Sequence, residues 1–138
     1  MNHCRIFMHT CNGFNLRYPY FTLVFKWGRK LPLRIRHLIE SEENTKYLSI
    51  ASIWEIGIKM NLGKLIFPKG LEKLVSLVVE NGFLILPITT QNIISVSNLE
   101  FIHRDPLDRI IVSQAKDNNF QILTFDQNIS KYPVNTVW

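Results

Sequence analysis

From about Lys30 to the C-terminus, short apolar runs alternate with stretches of helical length and period, and this alternation constrains the fold more than any other feature. Leu33, Ile35, Leu38 and Ile39 give the period of a short helix, with residues 40–44 as its polar exit. Residues 47–50 read as a buried strand. Ser52 is expected to open the next helix, with Glu55 completing an S-x-x-E capping box and Gly63 closing it. Residues 71–80 form another helix, stopped at Asn81-Gly82. A strand over residues 83–86 ends at Pro87. Thr89 or Thr90 caps a helix through Ile93, Ile94, Val96 and Leu99, and Asp105-Pro106 starts the last long one, with Ile110, Ile111 and Ala115 facing inward. Residues 121–125 and 134–138 complete the strands, the latter at an edge. Strands separated by helices imply an α/β fold with a mainly parallel sheet flanked by helices. Without repeats, low-complexity tracts or linkers, residues 30–138 are expected to form one domain.

Residues 1–29 do not share this pattern. Residues 22–25 suit a strand, and the rest show no useful periodicity. The net charge of +5 is also divided unevenly. Residues 1–39 contain seven Lys or Arg and no acid, a balance of +7, whereas residues 40–138 carry all eleven acids and nine basic residues, a balance of −2. A basic total ordinarily suggests an anionic partner, and here that suggestion rests on one end of the chain. The longest apolar patch, Tyr20 to Phe25, has six residues, far short of the roughly 18 needed to span a membrane. No signal peptide is recognisable, and the absence of serine before Ser41 argues against a mitochondrial-type presequence. Cys4 and Cys11 are too few for a disulfide scaffold and suit a reducing, cytoplasmic setting.

Three carboxylates fall where strands are expected to give way to helices, the edge at which parallel sheets collect ligands. Glu55 lies on the expected first turn after the 47–50 strand, Asp108 on the first turn after Asp105, and Asp126 directly after the 121–125 strand. Carboxylates converging from separate elements make an oxygen-rich site suited to Mg²⁺ or Mn²⁺, which can activate water and neutralise a phosphodiester under attack. Each also has a structural reading: Glu55 as a capping-box acid, Asp105 as an N-cap, Asp126 as a turn residue. His103 reads as a loop residue rather than a ligand, and Trp54, in line with Ile58, as core. Zinc-ligand spacing, a glycine-rich phosphate loop and a G-x-S-x-G elbow are absent from the sequence.

Residues 49–59 with Leu62-Gly63-Lys64-Leu65, the 86–89 segment, residues 103–115, Leu123-Thr124-Phe125-Asp126, Tyr132-Pro133-Val134 and terminal Trp138 resemble, in order and spacing, PIN-domain proteins of the VapC-like toxin group. The resemblance implies a PIN-like, Rossmann-like sheet and a Mg²⁺-dependent endoribonuclease, Mn²⁺ being an alternative ion. It implies RNA as substrate, a cognate antitoxin as partner, homodimer formation and no membrane association. It makes Glu55, Asp108 and Asp126 the catalytic and metal-binding acids, with Asp105 as an auxiliary ligand and Thr124 as a supporting hydroxyl. A non-catalytic module that binds antitoxin or RNA is the alternative.

The family begins with a central hydrophobic strand ending in an acid, commonly within Asp-Thr-His. This chain has no acid before Glu40. The first central strand is therefore expected to be atypical or missing, and activity to be impaired. Codons for residues 12–28 can be chosen that, read one base on, give Met-Val-Leu-Ile-Tyr-Asp-Thr-His followed by an apolar stretch. That is a start, a strand and the missing motif at the right distance from Lys30. A change of frame near residues 28–30 is thus the leading explanation for this segment, a genuine N-terminal extension the alternative.

Overall fold

The computed structural model describes residues 5–8, 32–124 and 126–138. Among the described residues, five strands run parallel in one sheet: β1 (Arg5–Met8), β2 (Thr45–Ser49), β3 (Phe83–Leu86), β4 (Gln121–Leu123) and β5 (Thr136–Val137), in spatial order β3-β2-β1-β4-β5. The helices are α1 (Leu33–Glu40), α2 (Ile50–Asn61), α3 (Gly70–Glu80), α4 (Thr90–Ser97), α5 (Pro106–Asn118) and the single turn α6 (Gln127–Ser130). Among the described residues, no helix is long and apolar enough to cross a membrane.

The centre of the sheet corrects one expectation. Residues 1–29 had no assigned place in it, and residues 22–25 were the nearest substitute for a central strand. Instead β1 fills the middle position, Met8 standing beside Leu48 on one side and Leu123 on the other. Residues 22–25 lie outside the described residues. The strand is present but atypical, because Arg5, Ile6, Phe7 and Met8 include no acid.

A parallel sheet must be covered on both faces, and its consecutive side chains point opposite ways. Tyr47 and Ile122 join one apolar cluster with Ile111, Val112, Phe120 and Ile129, whereas Leu48 and Leu123 join the other with Ile35, Ile56, Leu74 and Val78. Tyr47 stacks on Phe120 with ring centroids 4.6 Å apart. The first cluster is built against α5 and α6, the second against α1, α2 and α3. Helices α2 and α3 approach closely at Gly57, where an added Cβ would stand 3.3 Å from Leu71.

The helix boundaries follow local chemistry. Pro32 precedes α1 and its carbonyl accepts from the amides of Ile35 and Arg36. Asn81 ends α3 and Gly82 follows at φ 81°, a left-handed turn that glycine adopts without strain. Thr89 caps α4 in a reciprocal box with Asn92, and Asp105 caps α5 with Pro106 in its first turn. At α2 the expected cap is displaced. Ser49, rather than Ser52, is the N-cap, its Oγ accepting from the Ala51 amide. Ser49 wins because it ends β2, so the chain turns directly from strand into helix. Ser52 and Glu55 therefore lie inside α2 and form no capping box, and Ser52 Oγ is buried without a hydrogen-bond partner.

Candidate active and metal-binding site

The carboxyl ends of the strands define one edge of the sheet. β2 runs directly into α2, β4 leads to Asp126, and the connection through α5 back into β4 brings the amino end of α5 to the same edge. Two hydrogen bonds fix α5 there. Ser49 Oγ donates to Gln114 Oε1 at 2.6 Å, and Gln114 Nε2 donates to the Pro87 carbonyl at 3.0 Å. The ends of β2 and β3 are thus tied to the middle of α5 by one buried glutamine.

At the amino end of α5, Asp105 Oδ1 accepts from the amides of Leu107 (2.9 Å) and Asp108 (3.3 Å). Asp108 is almost wholly buried, its Oδ2 2.9 Å from Nε2 of His103. Ligand atoms of His103, Asp105 and Asp108 all lie within 4.8 Å of one another. Two carboxylates and an imidazole at this separation form a group that can hold a metal ion. The donor chemistry fits a divalent cation, because the buried Asp108 needs a compensating charge and both carboxylates present the hard oxygens such ions take.

The other expected acids do not join that triplet. Glu55, buried at 7% exposure, sits in the second turn of α2, one turn later than the sequence implied because the helix begins at Ile50. Its Oε1 lies 2.7 Å from Lys59 Nζ on the same helix. Asp126 caps α6, accepting from the Asn128 amide at 2.8 Å, while its own amide donates to Thr124 Oγ1 at 3.0 Å. Thr124 is therefore the residue that shapes the turn carrying Asp126. Both acids remain at the strand-end edge, on elements separate from α5.

Three participants escaped the sequence reading. His103, read as a loop residue, does lie in a loop, but it faces Asp108. A usable signal was present: Asp105-Pro106 fixes the helix start, so positions 103 and 108 both stand over the same helical end. Arg109 and Tyr132 had no such signal. Arg109 is buried, and its Nη1 donates to the Glu100 carbonyl and to Tyr132 Oη, its Nη2 to the carbonyls of Val96 and Leu99. Its guanidinium lies over Phe101, 4.8 Å from the ring centroid. Tyr132 Oη also accepts from the His103 amide at 2.9 Å. Arg109 and Tyr132 thus hold the loop that presents His103.

Trp54 corrects a further expectation. It is 60% exposed rather than core, and Ile50, Ile58 and Leu62 are exposed at spacings of four residues along the same helix face. The core-facing stripe of α2 is instead Ala51, Ser52, Glu55 and Ile56.

The chain's residues 23–135 match the family model of the PIN domain. No curated protein matches it in sequence. Among solved structures it is similar to a chain of VapBC2 from Rickettsia felis bound to a DNA fragment from their promoter. The TM-score is 0.61 at 13% identity, over 96% of this chain and 97% of that one, a likeness of fold.

Proposed function

Because the chain belongs to the PIN-domain family, we propose that it is a VapC-like, metal-dependent endoribonuclease of a toxin–antitoxin pair, with weakened catalysis. The observation that carries this reading is the triplet of His103, Asp105 and Asp108 at the amino end of α5, beside the strand ends. Asp105 and Asp108 would hold Mg²⁺ or Mn²⁺ there, with Glu55 and Asp126 as further acids from neighbouring elements of the same edge. A bound divalent cation supplies charge neutralisation at a phosphodiester and an acidified water. Arg109 and Tyr132 keep the loop in register, and Lys59 positions the Glu55 carboxylate.

The weakness follows from the central strand. β1 lies between the strands that lead to Glu55 and Asp126, and the chain has no acid before Glu40. A cation site short of a carboxylate neutralises less phosphate charge and fixes the attacking water less well. RNA incubated with purified protein and Mg²⁺ or Mn²⁺ is expected to be cleaved slowly, with cleavage abolished in Glu55→Ala. Robust cleavage by the parent, lost in that variant, confirms the enzyme class and overturns the impairment.

The exposed apolar face of α2 favours a second reading. Ile50, Trp54, Ile58 and Leu62 suit burial against a protein partner, the antitoxin or a second copy of the chain. A binding module of this kind forms its complex without cleaving RNA and is indifferent to Glu55→Ala. Co-purification with the cognate antitoxin and light scattering of the isolated chain separate those outcomes.

A further inference from the structure

We propose that His103 is itself a ligand of the cation site at the amino end of α5, and that its imidazole moves the site's preference from Mg²⁺ toward first-row transition-metal dications. The inference rests on reading Asp105 and Asp108 as cation-binding carboxylates, and it adds a nitrogen donor to them.

Geometry supports the assignment. In an octahedral shell with bonds of about 2.1 Å, neighbouring donors stand roughly 3.0 Å apart and opposite ones about 4.2 Å. His103 Nε2 and Asp108 Oδ2, 2.9 Å apart, have the spacing of neighbouring donors, and the full triplet with Asp105 lies within 4.8 Å, a limit slightly wider than the span of opposite donors. A histidine–aspartate hydrogen bond has the same short separation.

The mounting of the imidazole adds to the case. The His103 amide donates to Tyr132 Oη, the Arg109 guanidinium donates to that same oxygen, and Arg109 also holds the carbonyls of Val96, Leu99 and Glu100. A buried arginine with four oxygen partners therefore immobilises the loop that leads to His103. Ligands held by such packing need little reorganisation to bind. The side chain retains 26% exposure, leaving a route for solvent and ions.

Chemistry then sets selectivity. Mg²⁺ favours oxygen donors and retains its waters, whereas imidazole nitrogen stabilises later first-row dications according to the Irving–Williams order. Mn²⁺ is a physiological candidate of that class, and Co²⁺ reports its donor set through visible absorption.

The test uses the full chain, freed of metal by chelation and titrated separately with CoCl₂ and MgCl₂ by calorimetry and absorption. The parent is expected to bind Co²⁺ more tightly than Mg²⁺. His103→Ala should weaken Co²⁺ binding by about tenfold or more while changing Mg²⁺ affinity far less, and should shift the Co²⁺ absorption bands. His103→Glu, an oxygen donor at the same position, should lower the Co²⁺/Mg²⁺ affinity ratio without abolishing binding. Thermal melts of both variants establish that they are folded. Unchanged Co²⁺ affinity in His103→Ala, or an equal rise for both ions, would make His103 only the hydrogen-bond partner of Asp108 and overturn the proposal. If Asp108→Asn leaves both affinities intact, the carboxylate reading beneath it falls as well. RNA cleavage enters none of these readouts, so loss of the nuclease reading alone leaves this result standing.

Discussion

The amino-terminal parts of α2 and α5 meet the same edge of the sheet, and each carries a buried carboxylate, but they hold it differently. Glu55 lies in the second turn of α2 and pairs with Lys59 four residues on. Asp108 lies in the first turn of α5, against a histidine from the preceding loop, and that loop is tied to the rest of the domain by Arg109 and Tyr132. One carboxylate is steadied by a neighbour on its own helix, the other by a network spanning three segments. The difference teaches where the preorganised part of the site lies. The α5 end is assembled before any ligand arrives, and Glu55 is paired along its own helix with a partly exposed lysine.

Substitutions can sharpen or break that contrast, and the largest effect is expected at Asp108. Asp108→Asn should reduce cation-dependent RNA cleavage beyond the ~100-fold typical of losing an outer hydrogen-bond partner. Lys59→Ala should reduce it far less, because its Glu55 partner remains. Equal losses in a cleavage assay would erase the distinction between the two helices.

Next in size is Arg109→Ala. It removes a buried cation and deprives the carbonyls of Val96, Leu99 and Glu100 of a donor, at an expected cost of about 3–5 kcal/mol. In a domain of this size that lowers Tm by about 10–20 °C, measurable by calorimetry. A shift of only a degree or two would show that the loop is held by other means.

Ser49→Ala removes the α2 cap and the donor to Gln114 together, so it should destabilise by about 2 kcal/mol in a denaturant titration. Trp54→Ser lies at the other extreme. With the ring mostly exposed, stability should change by less than about 0.5 kcal/mol, while antitoxin binding or self-association falls. A large loss of stability would mean that the α2 face is packed against the domain after all.

Much of this molecule is legible in the sequence where local chemistry is decisive. Asp105-Pro106, Thr89 and Asn81-Gly82 mark helix ends because their side chains or backbone preferences act within a turn. The strand over residues 83–86 stands out as an apolar run between such signals, as does the run over 121–125, of which Gln121–Leu123 is the strand. The α2 cap was misread because two serines lie near its start, and the end of β2, a tertiary feature, selects Ser49. Trp54 was misread because Ile50, Trp54 and Ile58 form as regular an apolar stripe as the face that is buried. The acids proposed for the site were visible as residues at a strand end or in the first turn of a helix. The Arg109–Tyr132 link was not, because it joins residues 23 apart that no local pattern relates.

The central strand posed the hardest problem. Arg5–Met8 is too short and too poorly alternating to be recognised without its two neighbours. Its lack of an acid keeps the reading-frame proposal for residues 1–29 open to a simple test. The gene is expected to encode Arg17 with a codon ending in GA (CGA or AGA) and, one base on, Asp-Thr-His across codons 17–20. A codon for Arg17 with any other ending contradicts it.

We propose that the acids at the strand-end edge form a cation-dependent site for RNA cleavage. The most direct measurement is the initial rate of RNA cleavage by concentrated parent protein, Glu55→Ala and Asp108→Asn, each with Mn²⁺ and with chelator. Slow, chelator-sensitive cleavage by the parent and background rates from both variants are expected. RNA left intact by the folded parent, or cleaved equally by all three proteins, would contradict it.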